Sequence, residues 1–363
     1  STMVLVVIST TVSMYVGIQD ELMARYPNDV CVTVDYNSVI DKSSEIEKAI
    51  FDEIDSAEVK NKKAFSYLSV FVGQKGDNFT TDKEHLSFQN SYLFYILSKD
   101  DFIKRDNSFK DKIGNISKGE AVVVLNKKYD KKDIKIFGKS YKVNKNFEHI
   151  YDDNLYVLST LNGLGYIILD NNESVQELYD VQEKMLGKGA NYYTNEIRFD
   201  FKSANKKQKI AAYKKVDNAV KRYFKDNKND KKEISSYWVE SRQENEKNFY
   251  LLYGGLFFLG IFLGTMFLMV TVMIIFYKQI TEGYDDRERY QILEKVGMSN
   301  REVKDTIKSQ IRIVFVLPIF AAAIHVTAAF PMVYRLLQML NLNNEKLFAG
   351  CLAVTIIVFA VIY

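Results

Sequence analysis

The sequence predicts a membrane protein with four transmembrane α-helices, the first and last cut short, and a large extracellular α+β domain inserted between the first and second. Three observations predict it. Apolar residues collect at the two ends of the 363-residue chain while Lys, Asp, Glu and Asn fill its middle, so averages of 47% apolar and 26% charged residues mix a membrane part with an aqueous part. Residues 249–277 and 313–337 are apolar runs long enough to cross a bilayer. Between them lies a charged stretch, 278–312, with eight Lys or Arg.

Composition excludes several functions. Residues 19–248 hold 39 Lys or Arg against 38 Asp or Glu, a near balance unlike the basic excess of a nucleic-acid binder. Cys31 and Cys351 fall in an aqueous and an apolar region, which argues against a disulfide, and neither has metal-ligand spacing around it. His85, His149 and His325 are far apart, so no metal site is predicted. There is no Gly-rich phosphate loop, nucleophile elbow or framed pair of carboxylates, and therefore no catalytic residue or cofactor is assigned.

Residues 3–18 form an uncharged apolar run with Ser9, Thr10, Thr11 and Ser13. A signal peptide would need a basic leader and a small-residue cleavage site, so the run reads as the end of a membrane helix that starts upstream. The aqueous domain, 19–248, then alternates strands and amphipathic helices. Ser44 and Glu47 suit a capping box opening a helix that buries Ile46, Ile50, Ile54 and Ala57. Residues 65–72, 92–97 and 121–125 are rich in aromatic and β-branched side chains and predict strands. A hairpin over 134–143 turns at Gly138-Lys139, and strands at 155–158 and 165–169 continue the sheet.

A helix from Ser174 buries Val175, Leu178, Met185 and Leu186 and stops at Gly187. After a strand at 192–201, a lysine-rich helix points Ile210, Tyr213, Val220 and Phe224 inward, with Lys206, Lys207, Lys214, Lys215, Lys221 and Arg222 mostly outside that stripe. Those cations form a solvated face or a surface for anionic headgroups or phosphate ligands. Residues 226–232 break the helix, and a new one is expected from Glu233 into the membrane, making 235–248 a stalk. The 29 uncharged residues 249–277 span about 43 Å as a helix, more than a bilayer core. Gly260 and Gly264, with Gly254 and Gly255 before them, offer a smooth face for helix packing, although glycine is frequent in membrane helices generally.

Pro318 and Pro331 mark kink points in 313–337, and 347–363 forms a last span that also reads as cut short. His325 lies mid-span, either bonded to a neighbouring helix or functional. The short connection 338–346 has one Lys against eight basic residues in 278–312, so the charged stretch is predicted cytoplasmic and the large domain extracellular. Within it, Tyr284, Asp285, Asp286, Arg287, Glu288, Arg289 and Tyr290 are too polar to be buried, and Ile292, Leu293 and Val296 follow as an apolar stripe. Gly297 ends that helix, and Ser299 with Glu302 caps the next, with Val303, Ile307 and Ile311 in step. Two short helices at a glycine corner would form a knob under the membrane.

The stretch ESRQENEKNFYLLYGGLFFLGIFLGTMFLMVTVMIIFYKQITEGYDDRERYQILEKVGMSNREVKDTIKSQIRIVFVLPIFAAAIHV resembles the C-terminal half of bacitracin-export type permeases of Gram-positive bacteria, a branch of the FtsX-like permeases. STTVSMYVGIQDELMARYPNDV is similar to the family's span before its extracellular domain and the start of that domain. The resemblance implies half of an ABC transporter permease for antimicrobial-peptide resistance. Its implied partners are a cytoplasmic ABC ATPase dimer, the N-terminal half of the permease, a membrane histidine kinase, and a peptide antibiotic or its lipid carrier. ATP would be hydrolysed on the partner, with residues 284–290 as the ATPase-coupling segment and 19–248 as the sensor. Two other readings stay open: an FtsX-like regulator of an extracellular peptidoglycan hydrolase, and an inactive half-permease remnant.

Overall fold

The structure is a computed structural model describing residues 2–55, 58–76, 78–81, 83–87, 90–149, 161–187, 189, 191–202, 205–227, 233–339 and 344–362. Two compact units divide the chain: Leu22–Lys247, and Ser1–Glu21 together with Asn248–Tyr363. The chain runs α1 (Thr2–Val16), α2 (Ile18–Arg25), β1 (Val30–Tyr36), α3 (Ser43–Phe51), β2 (Val59–Lys75), β3 (Asn78–Thr80), β4 (Ser91–Ser98), α4 (Lys99–Arg105) and α5 (Lys110–Ile113). It continues β5 (Glu120–Leu125), β6 (Asp133–Ile136), β7 (Lys139–Glu148), β8 (Gly163–Leu169), α6 (Asn172–Leu186), β9 (Tyr193–Phe201), α7 (Lys206–Asp226) and β10 (Ile234–Ser241). The last elements are α8 (Arg242–Asp285), α9 (Arg287–Lys295), α10 (Asn300–Met339) and α11 (Glu345–Ile362).

In the sheet unit, ten strands follow the order β10-β1-β9-β2-β3-β6-β7-β5-β8-β4, and β4 pairs back onto β2. The strands from β2 to β4 therefore close on themselves, which removes their free edges. The 17-residue β2 makes this possible: residues 59–68 pair with β9, and residues 68–73 pair with β4. β5 is buried from Ala121 to Leu125 without alternation, because both of its faces are covered. Val123 and Leu125 join Phe94, Ile167 and Leu178 inside, while Val122 and Val124 pack with Phe102, Phe109 and Ile168. Gly165 is required where β8 meets β5, since a Cβ there would lie 2.2 Å from the Val124 carbonyl oxygen. Beside this closed part, β1 and β9 turn Val30, Val32, Ile197 and Phe199 toward Ile46 and Ile50 of α3 and Val216 and Val220 of α7.

Several local expectations change. α3 starts one residue before Ser44, and its N-cap Lys42 makes no side-chain bond; Asp41 instead accepts from the Ser43 amide at 3.0 Å, so no capping box forms. Ala57 and the strand expected at 155–158 lie outside the described residues. The hairpin turns at Phe137-Gly138, with φ of 50° and 80°, and Lys139 pairs with Ile136. Two positive φ values make this the mirror-image turn that matches strand twist, one residue earlier than expected. α6 buries Val175, Leu178, Tyr179 and Gln182 but leaves Met185 and Leu186 exposed, because its last turn passes beyond the sheet. α7 has a true capping box between Asn205 and Gln208, and buries Val216, Ala219, Val220 and Phe224 deeper than Ile210 and Tyr213.

The expected stalk is also different. No helix starts at Glu233; Ile234–Ser241 is β10, antiparallel to β1, and the helix begins at Arg242. Tyr237, Trp238 and Val239 favour a strand, and β1 supplies the edge that sequence cannot show.

Among the described residues of the helical unit, α8 and α10 are long and apolar enough to cross a membrane. The pair α1 and α2, bent by 53°, would be a third span if it is one. α1 lies at the centre of this unit: Val4 and Leu5 pack with Ala322, Val326 and Leu352, and Met14 packs with Tyr253, Leu337 and Phe348. Phe258, Ile274, Phe320 and Met332 face outward, an apolar surface suited to lipid or another membrane chain.

Asp29 ties the sheet unit together. Its carboxylate, 2% exposed, accepts from the Phe201 amide at 3.0 Å, Lys209 Nζ at 2.7 Å and Gln243 Nε2 at 2.7 Å, and Arg242 Nη1 lies 3.7 Å away. The start of β1, the end of β9, α7 and the first turn of α8 thus meet on one side chain. Burial raises its pKa, but Lys209, the Phe201 amide and Gln243 outweigh burial and hold it below the ordinary carboxylate value. A depressed folded value gives stability that is complete above the unfolded pKa near about 4 and is lost as pH falls through the folded value. Asp29→Asn should cost about 3 kcal/mol by stranding Lys209 and Arg242, and should flatten the acid limb of stability, read by Trp238 fluorescence in denaturant at several pH values.

Candidate functional site

The segment with the densest exposed polar chemistry outside the sheet unit is the junction of α8, α9 and α10. α8 ends at Asp285, and Asp286 precedes α9 without a side-chain cap bond. Asp286 is engaged elsewhere: Arg289 Nη1 lies 3.0 Å from its Oδ1, and Gln310 Nε2 donates to its Oδ2 at 3.3 Å. Tyr290 Oη donates to Gln310 Oε1 at 2.6 Å. A relay Arg289–Asp286–Gln310–Tyr290 therefore fastens α9 to α10. Tyr284, Asp285, Arg287 and Glu288 are exposed, with Tyr284 at 73%, and so are free to meet a partner.

Gly297 makes the corner. Its φ of 105° is closed to most side chains, and its amide and that of Met298 return to Glu294 O and Leu293 O, both at 3.1 Å, sealing the end of α9. The Ser299 amide then donates to Glu302 Oε2 at 2.9 Å while the Glu302 amide returns to Ser299 Oγ, the capping box expected here. These bonds hold the Glu302 carboxyl below its ordinary value.

The elements enclose a groove of about 450 Å³ whose walls include Phe276, Ile280, Asp286, Tyr290, Ile307 and Gln310. Gln279 Nε2, buried beside it, has no hydrogen-bond partner among the described residues. Ile292, Leu293 and Val296, the apolar stripe of α9, face outward at 58%, 36% and 80% exposure and form an exposed apolar edge. Sequence reasoning missed Gln310. The available signal was the phase set by Ser299, which puts Gln310 beside Ile307 and Ile311 on α10.

The glycine pair sits elsewhere in the same unit. A Cβ on Gly260 would lie 2.2 Å from Thr11 Cγ2, and one on Gly264 would lie 2.6 Å from Ile8 Cγ1, so α1 approaches α8 where both lack side chains. Thr11 satisfies its hydroxyl within its own helix, donating to Val7 O at 2.8 Å, while its whole side chain lies against Gly260. Gly254 meets Tyr15 only at 4.0 Å and Gly255 has nothing within 4 Å, so the smooth face narrows to Gly260 and Gly264. His325 is exposed on α10 and bonds to no neighbouring helix among the described residues.

No protein-family profile matches the chain. Over 99 residues, 27% of the chain, it is 30% identical to the ABC transporter permease protein YxdM of Bacillus subtilis (strain 168). The likeness is to a transporter permease. The matched stretch spans 15% of that relative's length. The chain thus joins two helices long enough and apolar enough to cross a membrane with a large sheet-rich domain.

Gly260→Leu forces α1 and α8 apart and should lower the stability of the helical unit by about 2 kcal/mol, whereas Gly255→Ala should be neutral. Thermal unfolding in detergent by far-ultraviolet circular dichroism compares them.

Proposed function

We propose that the chain is the C-terminal part of the permease of an ABC transporter that senses and resists cell-wall-targeting peptide antibiotics such as bacitracin. The observation that carries this reading is the 30% identity with an ABC transporter permease. The resemblance of residues 240–326 to the bacitracin-export type permeases supplies the antibiotic. Four spans are assigned, with 278–312 cytoplasmic and the sheet unit extracellular, in line with the eight basic residues of that loop.

A partner ATPase dimer would bind ATP and grip the exposed face formed by Tyr284, Asp285, Arg287 and Glu288. Charged and aromatic side chains of this kind suit a reversible protein contact, with Tyr284 as anchor and the charges as rim. The relay through Asp286 and Gln310 would pass the movement of α9 to α10 and to α8, and α8, a single helix of 44 residues, would carry it outward. The sheet unit would then change its hold on a peptide antibiotic or its lipid carrier. The N-terminal half of the permease would complete the membrane part, and a histidine kinase would read the flux. No substrate path through the bilayer is needed for this mechanism.

Alanine at Asp285, Asp286, Arg287 and Arg289 together should abolish stimulation of the co-expressed ATPase and lower resistance at least about 10-fold, while the protein still inserts. Because Asp286 also braces α9, Tyr284→Ala is the companion variant: it touches no structural bond and should reproduce part of the loss. Unchanged bacitracin resistance and ATP hydrolysis in both would refute the coupling role.

A further inference from the structure

The sheet unit has a second constellation that the permease reading does not use. One face of β1 and β9 packs on α3 and α7; the opposite face carries charge. Strand register places Cys31 between Glu240 and Arg198, and Thr33 between Trp238 and Glu196. The next strand adds Phe65 opposite Glu196. Above them lie Arg25, the last residue of α2, and Arg105, the last of α4, around a cavity of about 150 Å³.

The chemistry of this cavity is specific. Arg105 is 6% exposed, with its guanidinium 4.5 Å from the centre of the Tyr166 ring. Glu196, 4% exposed, is already engaged: Tyr67 Oη donates to it at 2.9 Å, and Arg198 Nε pairs with it. Glu240, half-buried, feels Arg25 and Arg198 as favourable charges and Glu196 as an unfavourable one. Three guanidiniums and two carboxylates line this cavity. Tyr95 and Trp238 line the cavity as well, and their apolar rings strengthen charge interactions beside them. A cavity this small cannot enclose a peptide; it matches a group of a few heavy atoms.

We propose that this cavity is a binding site for a small oxyanion group, phosphate-like in size and charge, held by Arg25, Arg105 and Arg198, with Glu240 as its proton-controlled competitor. An anion and the Glu240 carboxylate contend for Arg25 and Arg198, so binding should be coupled to protonation of Glu240. The charged and titratable groups that face Glu240 are Arg25 and Tyr26 beside α2, Cys31 on β1, and Glu196 and Arg198 on β9. Burial raises the Glu240 pKa, Arg25 and Arg198 oppose this, and Glu196 adds to it. The Cys31 thiol, pushed up to about 12 by burial, and Tyr26, also raised, stay neutral and add no charge. The site holds whether or not the chain works with an ATPase, so its failure and that of the permease reading are separable.

Trp238 is the sole tryptophan of the chain and lines the cavity, which makes it a built-in reporter. The full chain in phosphatidylcholine nanodiscs is titrated with sodium sulfate, whose charge is constant from about pH 5.5 to about pH 7.5, and with inorganic phosphate, at ionic strength matched with chloride. A separate arm mixes phosphatidate into the nanodiscs. Saturable change in Trp238 emission with the soluble ions identifies a free anion; a response to phosphatidate alone identifies a lipid headgroup; either supports the site.

Sulfate should bind several-fold tighter at the lower pH. Arg25→Gln, at the half-buried mouth, should weaken binding about 10-fold. Glu240→Gln should bind tightly at both pH values and lose the pH dependence. Because Arg25 and Glu240 are only partly buried, both variants should keep the wild-type circular dichroism spectrum. No saturable response in any arm, or one that Arg25→Gln and Glu240→Gln leave unchanged, would overturn the proposal.

Discussion

A single buried carboxylate organises the sheet unit. Asp29 sits at the entry to β1, where the chain could leave in many directions, and its oxygens accept from β9, α7 and the first turn of α8 at once. The backbone around it is drawn into the same knot: Arg242 Nε donates to Tyr26 O at 2.6 Å, and the Asp29 amide donates to Asp200 Oδ1 at 2.8 Å. A charge this buried is tolerable only because every direction around it is a donor, and that requirement fixes where each of those segments begins or ends. The closed ring from β2 to β4 needs no such clasp, being held by continuous pairing and apolar cores. The open part, β9, β1 and β10, lies outside that closed ring, and there the clasp matters.

The helical unit solves a different problem. Between helices surrounded by apolar groups, burial of greasy surface gives little preference for one neighbour over another, so close approach and shape decide. Gly260 and Gly264 let Thr11 and Ile8 of α1 reach the α8 backbone, and Phe330 stacks on Phe348 at 5.0 Å between α10 and α11. The rest of α8 and α10 stays outward-facing and apolar. At the polar end of the same helices the logic reverses: hydrogen bonds through Asp286 and Gln310 define the join, and Gly297 sets the corner.

Much of this was legible in the sequence where the signal is local. The two long apolar runs, the glycine corner, the Ser299–Glu302 box and the strands 92–97 and 121–125 each follow from neighbours within a few residues. What was not legible depends on partners distant in the chain. A helix is expected from Glu233 onward, yet β10 is a strand because β1, far earlier in the chain, offers an edge; Val30 pairs with Ser241. Met185 and Leu186 look like core by period but run past the sheet they would cover. Asp29, Gln310 and the cavity beneath Arg25 are unmarked by any motif, since their meaning arises when three or more elements converge. The chemistry of the sheet unit emerges only from its strand register.

The proposed coupling has movement pass from the exposed segment after α8 to the sheet unit, and hydrogen exchange on the chain assembled with the proposed ATPase tests that most directly. Adding ATP should change amide protection at residues 234–247, where β10 hands over to α8, as well as at 284–297. If exchange changes at 284–297 while ATP turns over and residues 234–247 stay as they were, the sheet unit does not receive the movement and the account is contradicted.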